Sequence, residues 1–304
     1  MGMAIEANSI RSAGPMARKP DREETVQTAD GLALHVERFH PVGPPRTNAV
    51  LVHGFSAHCG AFRHVAAALA DAGHAVTTFD CRGHGQSQGR HGYVRRFTDY
   101  DDDLNRVLAH ARADAPDRPT VVVAHSHGAT ITLDYLFRGL GTVDALVVAT
   151  PYLELKLKVP LYKRIASPIL GALWPTLTMW NEIQPETVSR SPEVCKEITT
   201  DPLVHHVATP RWFNEVRATQ ARLRASASSL KVPTFMAVAG ADRLVDPAAS
   251  VAFAQAAGSA VELKVYDQLF HEIFLEPERD VVIGDIVRWL NGRFGGTAAR
   301  DPYT

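Results

Sequence analysis

Ser126 lies in Ala124-His125-Ser126-His127-Gly128, between the apolar, β-branched run Val121 to Val123 and the helix-compatible stretch ATITLDYLF. Small residues two places either side of a serine are what a nucleophile needs when a sharp strand-to-helix turn projects it. Backbone strain at such a turn costs about 1 to 3 kcal/mol. A serine so placed attacks acyl carbon once a base takes its proton, and the base needs a carboxylate to fix its tautomer. Asp242 follows the run TFMAVAG, and His271 follows AVELKVY, each just past the carboxyl end of its own expected strand. Ser126, His271 and Asp242 therefore read as nucleophile, base and acid. Asp246 is the rival acid, but its place before PAASVAFAQ suits a helix N-cap. His125 and His127 adjoin Ser126, so their rings should diverge from its oxygen. The oxyanion formed in the attack needs preorganised donors. The backbone N–H of His127 is one, and that of Phe55, in the turn His53-Gly54-Phe55, is the other. Phe55 would act through its backbone, leaving its side chain free to vary.

Those residues need a scaffold that carries strand ends to one edge. ETVQTAD and LALHVERFH flank Asp30-Gly31 and read as a hairpin. NAVLVHG, AVTTFD, PTVVVAH and DALVVAT are compact apolar runs separated by segments with 3.6-residue periodicity, such as FRHVAAALADAG. Apolar strands alternating with helices predict an α/β fold, a mostly parallel sheet with helices on both faces. After Thr150 the alternation stops, and it resumes near residue 211. We expect a core of residues 23–150 and 211–295, an inserted cap over 151–210 at the ligand-binding edge, and tails at 1–22 and 296–304.

Together these residues resemble the α/β-hydrolase fold, and within it the monoacylglycerol lipase and lysophospholipase group, over roughly residues 25 to 295. Besides HGF and AHSHG, the stretch FDCRGHGQSQGRHGYVRRFTDYDDDL looks like that group's FD-x-x-GHG-x-S-x-G-x-R segment followed by F-x-x-Y-x-x-D. AGADRLVD and DPLVHH add to it. Ala124 stands where the group usually has Gly, His127 where Met is common, and Arg90-His91-Gly92 departs from the usual residues. The resemblance implies a serine ester hydrolase with the triad above, acting on single-chain acyl lipids. A small-ester, carbon-carbon or peptide-bond hydrolase would carry the same triad. A catalytically silent binding module would keep the fold without the chemistry.

Within the insertion, Leu173, Trp174, Leu177 and Trp180 are expected to wall an acyl tunnel. Lys156, Lys158, Lys163 and Arg164 would form a basic rim beside it. Such a surface could also rest on a lipid interface. The 32 Lys and Arg against 33 Asp and Glu give a net charge of -1, which argues against nucleic acid as a partner. Three scattered cysteines, Cys59, Cys81 and Cys195, form no metal or redox spacing and suit a reducing, cytoplasmic setting. The 14 histidines complete no metal motif, so neither a metal nor a cofactor is expected. The partner expected is a small acyl ester or lipid.

Overall fold

The computed structural model describes residues 18–295. Strands β1 (Arg22–Gln27) and β2 (Ala33–Phe39) form the antiparallel hairpin, closed by the Thr28 to Leu32 turn in which Gly31 takes a positive φ of 87°. The chain then alternates through β3 (Asn48–Val52), α1 (Arg63–Asp71), β4 (Ala75–Phe79), α2 (Thr98–Arg112), β5 (Thr120–His125), α3 (His127–Phe137) and β6 (Ala145–Ala149). An excursion follows, containing α4 (Leu161–Leu173), β7 (Met179–Trp180), α5 (Pro185–Val188), α6 (Pro192–Thr200), β8 (Val207–Ala208) and α7 (Pro210–Ala225). The alternation closes with β9 (Thr234–Ala239), α8 (Pro247–Ala257), β10 (Val261–Tyr266) and α9 (Arg279–Phe294).

The main sheet runs β1-β2-β4-β3-β5-β6-β9-β10, parallel from β4 onward. Strands β3, β5, β6 and β9 are buried at every position because both faces are covered, and their interiors are apolar accordingly. Val50, Val122, Ala124 and Val148 join one core with residues of α2 and α3, while Leu51, Val121, Val123 and Val147 join a second with residues of α1 and α9. Strand β5 consequently ends with no freedom to shift, and Ser126 follows it directly.

Residue 210, where the insertion was expected to end, is the first residue of α7, which packs on both α3 and α4. The small strands β7 and β8 pair antiparallel, Met179 with Ala208 and Trp180 with Val207. Gly92 lets the preceding loop seat beneath them: its φ is 63°, and a Cβ there would stand 2.3 Å from the Val207 carbonyl oxygen.

One expectation needs correction at the amino end. Residues 1–17 and 296–304 lie outside the described residues, but residues 18–22 are bound, not loose. Arg18 donates to the His40 carbonyl at 2.7 Å, and the Asp21 amide donates to the Arg38 carbonyl at 2.8 Å. The β1–β2 pairing thus continues past Arg22. Among the described residues no helix is long and apolar enough to cross a membrane.

Candidate active site

Ser126 stands alone between β5 and α3, with φ 50° and ψ −114°. A non-glycine residue in that region stores strain. The surrounding close packing maintains it. A Cβ on Gly128 would lie 2.5 Å from the His53 carbonyl oxygen and 2.6 Å from that of Val52, so only glycine lets the first turn of α3 press on the end of β3.

The serine meets the two partners the sequence offered. Ser126 Oγ lies 2.8 Å from His271 Nε2, and His271 Nδ1 lies 2.7 Å from Asp242 Oδ2. All three residues are buried. With Nδ1 donating to the carboxylate, Nε2 is left to accept the serine hydroxyl proton. Burial alone would lower the His271 pKa, but the Asp242 carboxylate outweighs it and the pKa stands above the ordinary imidazole value. Burial would raise Asp242, yet His271 and the amides of Val245 and Leu244, at 2.9 and 2.8 Å, hold it below the usual carboxylate range. Asp246 is elsewhere occupied: it caps α8, accepting from the Ala248 amide at 3.0 Å.

Neither His125 nor His127 hydrogen-bonds the serine oxygen, which is bound by His271. His125 Nε2 is 3.1 Å from the His271 carbonyl oxygen, where Thr150 Oγ1 also donates at 3.1 Å. The His127 ring lies among Phe55, Phe97, Tyr100 and Trp212, and burial there pulls its pKa down to about 3. As the first residue of α3, His127 has an amide that no helical carbonyl can accept. The Phe55 amide likewise meets no acceptor among the described residues. The Phe55 ring, however, is not free to vary. It stacks on Trp212 with centroids 3.9 Å apart and meets His84, His127 and His205 edge-on. No local signal announces this contact, because Trp212 comes from α7.

A cavity of about 1990 Å³ opens over Ser126 and His271. Its apolar wall includes Leu155, Leu157, Leu170, Met179, Ile183 and Phe213. Of the four tunnel residues expected from the sequence, Trp180 lines this cavity, whereas Leu173, Trp174 and Leu177 do not. Leu173 and Trp174 are 81% and 60% exposed. The reason lies in how α4 sits on α7. Ser167 Oγ is 2.8 Å from Asn214 Oδ1, Asn214 Nδ2 donates to the Ser167 carbonyl at 2.7 Å, and a Cβ on Gly171 would meet that same Nδ2 at 2.7 Å. The small, polar face of α4 therefore goes inward. Its apolar row, Leu161, Ile165, Ile169 and Leu173, goes outward. The basic rim is also thinner than the sequence suggested: Lys163 pairs with Glu182 at 2.8 Å, and Lys156 donates to the Asp242 carbonyl at 2.6 Å.

Among the described residues, two groups of side chains bring ligand atoms close enough to consider a metal, His35 with Cys59 and Asp80, and His125 with His271 and Glu272. Both are engaged otherwise. The Asp80 oxygens accept the Cys59 and Gln86 amides at 2.6 and 2.7 Å, and His271 is bound to Ser126 and Asp242.

A family model described as serine aminopeptidase, S33, matches residues 43–278. The chain belongs to this family. Within it, this hydrolase is similar to a monoacylglycerol lipase of Mycolicibacterium smegmatis, 31% identical over 270 residues that cover 88% of this chain and 96% of the relative. The monoacylglycerol lipase of Paleococcus ferrophilus superposes with a TM-score of 0.78 at 25% identity, covering 85% of this hydrolase and 98% of that chain. A soluble variant of monoglyceride lipase from Saccharomyces cerevisiae, in complex with a substrate analogue, shares the fold with a TM-score of 0.82 at 21% identity, over 92% of this hydrolase and 97% of that chain. This hydrolase is thus a monoacylglycerol lipase-like member of the α/β-hydrolase fold.

Proposed function

We propose that this chain is a carboxylic-ester hydrolase of single-chain acyl lipids, monoacylglycerols foremost, working through an acyl-enzyme on Ser126. The observation that carries the reading is the unbroken relay from Ser126 Oγ through His271 to Asp242, at 2.8 and 2.7 Å, opening on an apolar cavity. His271 Nε2 takes the hydroxyl proton as Oγ bonds to the acyl carbon, and Asp242 stabilises the imidazolium that results. The amides of His127 and Phe55 receive the oxyanion. As the tetrahedral intermediate collapses, His271 returns the proton to the departing alcohol oxygen. Water then attacks the acyl-enzyme, giving its proton to His271, and the fatty acid leaves Ser126 with its hydroxyl restored. No step needs a cofactor.

Residues 151–210 serve as the cap in this reading. The acyl chain lies along Leu155, Leu157, Leu170, Met179, Trp180 and Ile183, and each buried methylene contributes up to about 0.8 kcal/mol. The outward row of α4, with Lys158 and Arg164 beside it, suits contact with a lipid surface. The relatives favour monoacylglycerol over lysophospholipid as the substrate.

Two measurements test the proposal. Fluorophosphonate should label the protein and fail to label Ser126→Ala, whose kcat should fall about 10³-fold or more. Across monoacylglycerols, lysophospholipids, p-nitrophenyl esters of increasing length and peptide amides, kcat/KM should climb with acyl length and be greatest for monoacylglycerols. Preference for acetyl esters or for peptides would end the lipid assignment, and preference for lysophospholipids would change the head group.

A further inference from the structure

The buried carboxylate of Glu276 has no role in the relay, yet four donors converge on it. The chain coils after His271, with the amides of Leu275 and Glu276 both donating to the Glu272 carbonyl. That coil turns Glu276 back toward the residue before the base. Glu276 Oε2 accepts the Phe270 amide at 3.1 Å and Arg190 Nε at 2.6 Å. Oε1 accepts Ser189 Oγ and the Arg190 amide, both at 2.8 Å. Alongside, the Glu272 amide donates to the Val188 carbonyl at 2.9 Å. Ser189 and Arg190 lie between α5 and α6, and Val188 ends α5, so all three belong to the excursion. On the core side, His125 and Thr150 hold the His271 carbonyl.

The peptide groups around the base are therefore fixed from two directions. The core supplies two side-chain donors to the His271 carbonyl, which also accepts the Ile273 amide at 2.8 Å. The excursion supplies the acceptor for the Glu272 amide and, through Glu276, three of the four donors whose carboxylate anchors the Phe270 amide. A carboxylate with no solvent exposure, satisfied by four donors, is a rigid joint, since removing any donor leaves a buried charge short of partners.

We infer that Glu276 is a positioning residue that clasps the His271 loop to residues 188–190, so that the place of the base depends on the place of the cap. Cap and catalytic base then move as one body at this joint. A displaced cap would carry the imidazole off the Ser126 oxygen, and a seated cap would restore the 2.8 Å contact. The inference rests on His271 being the base.

The test uses the full-length enzyme with a short soluble ester, p-nitrophenyl butyrate, and fluorophosphonate titration to count active sites. Glu276→Gln keeps the shape but places an amide N–H2 where donors converge. Its kcat per active site should fall about 10- to 100-fold, with KM changed by roughly two-fold or less, because misplacing a reacting group costs turnover more than binding. The acid limb of kcat/KM should move to lower pH, since an imidazole loosened from Asp242 loses the interaction that raises its pKa. Arg190→Gln, which removes one cap donor from a partly exposed side chain, should shift both quantities in the same direction by less. If Glu276→Gln has wild-type kcat and limb and merely melts earlier, its role is structural and the proposal falls. If that variant does not fold, Arg190→Gln decides: an unmoved limb and kcat overturn the proposal, and a joint shift supports it. Wild-type labelling by fluorophosphonate, lost in Ser126→Ala, tests the serine relay separately. Failure there sinks the assigned base, whereas normal labelling with indifferent clasp variants sinks only the clasp.

Discussion

The helices α3 and α4 both pack on α7 and were placed by opposite rules. Nearly every residue of α3 from His127 to Tyr135 is buried, polar and apolar alike, because a strained turn at Ser126 and a glycine at 128 fix its first turn against β3. Helix α4 buries little beyond Ser167 and Gly171 and displays Leu161, Ile165, Ile169 and Leu173 to solvent. Backbone sterics decided the position of α3, while a small-residue contact decided the orientation of α4. A residue near α3 should therefore matter through atomic position, and a residue on α4 through the surface it offers.

The largest expected effect tests the first half of that contrast. Asp242→Asn should lower kcat by orders of magnitude, because an amide facing His271 Nδ1 favours the wrong tautomer. Asp246→Asn, only four residues away, should leave kcat near wild type and cost about 1 kcal/mol of stability or less, the worth of a helix cap. Steady-state kinetics beside thermal melts separate them. A larger kinetic loss at Asp246 would mean that position does not rule on this side of the site.

That the relay could be found from sequence and the tunnel wall could not follows from the same contrast. Strands β3, β5, β6 and β9 are covered on both faces, so apolar runs marked them without any need to know which face was inside. Ser126, Asp242 and His271 each follow the end of such a strand, and chain order alone brings them to one edge. The apolar row of α4 was visible too, but periodicity gives a stripe and not its direction. Ser167 and Gly171 were the local signal that small residues would face α7. The Phe55–Trp212 stack and the Glu276 clasp left no local trace, because each joins segments about 90 to 160 residues apart in the chain.

A middle-sized effect tests the second half. Trp180 lines the cavity and Trp174 does not. Trp180→Ala should lower kcat/KM for long-chain esters by about 3- to 10-fold, the loss of roughly one or two methylene contacts, and spare acetyl esters. Trp174→Ala should leave turnover of dissolved monomeric esters unchanged and reduce turnover of monoacylglycerol presented in vesicles. Equal effects of both variants on every substrate would remove the distinction between wall and outer surface.

The smallest effects concern protons, and they divide the site's histidines by sign. His84, His127 and His205 are held neutral by burial, with pKa values pulled down to about 4, 3 and 2. Unfolding returns each to about 6.5, so the unfolded chain binds more protons below that pH and these residues lose stability as pH falls. His271 has its pKa raised instead. Its contribution to stability is complete below about 6.5 and is lost as pH rises through its folded value. Asp101, buried beside Asp134 and pushed up to about 9, works in the same direction as His271. The net slope is thus a difference of opposing groups, and a single substitution isolates one of them. In His205→Phe, the change of unfolding free energy with pH between 6 and 5 should flatten by up to about 1.4 kcal/mol per pH unit, the contribution of one proton. The limb of kcat/KM should stay above about 6.5 in both proteins, because the base proposed to titrate there is His271, whose pKa is raised. Denaturant melts at each pH, set beside the rate profile, measure the two separately. If the limb moves with His205 and the stability slope does not, the buried imidazoles are part of the reacting relay and not packing around its base.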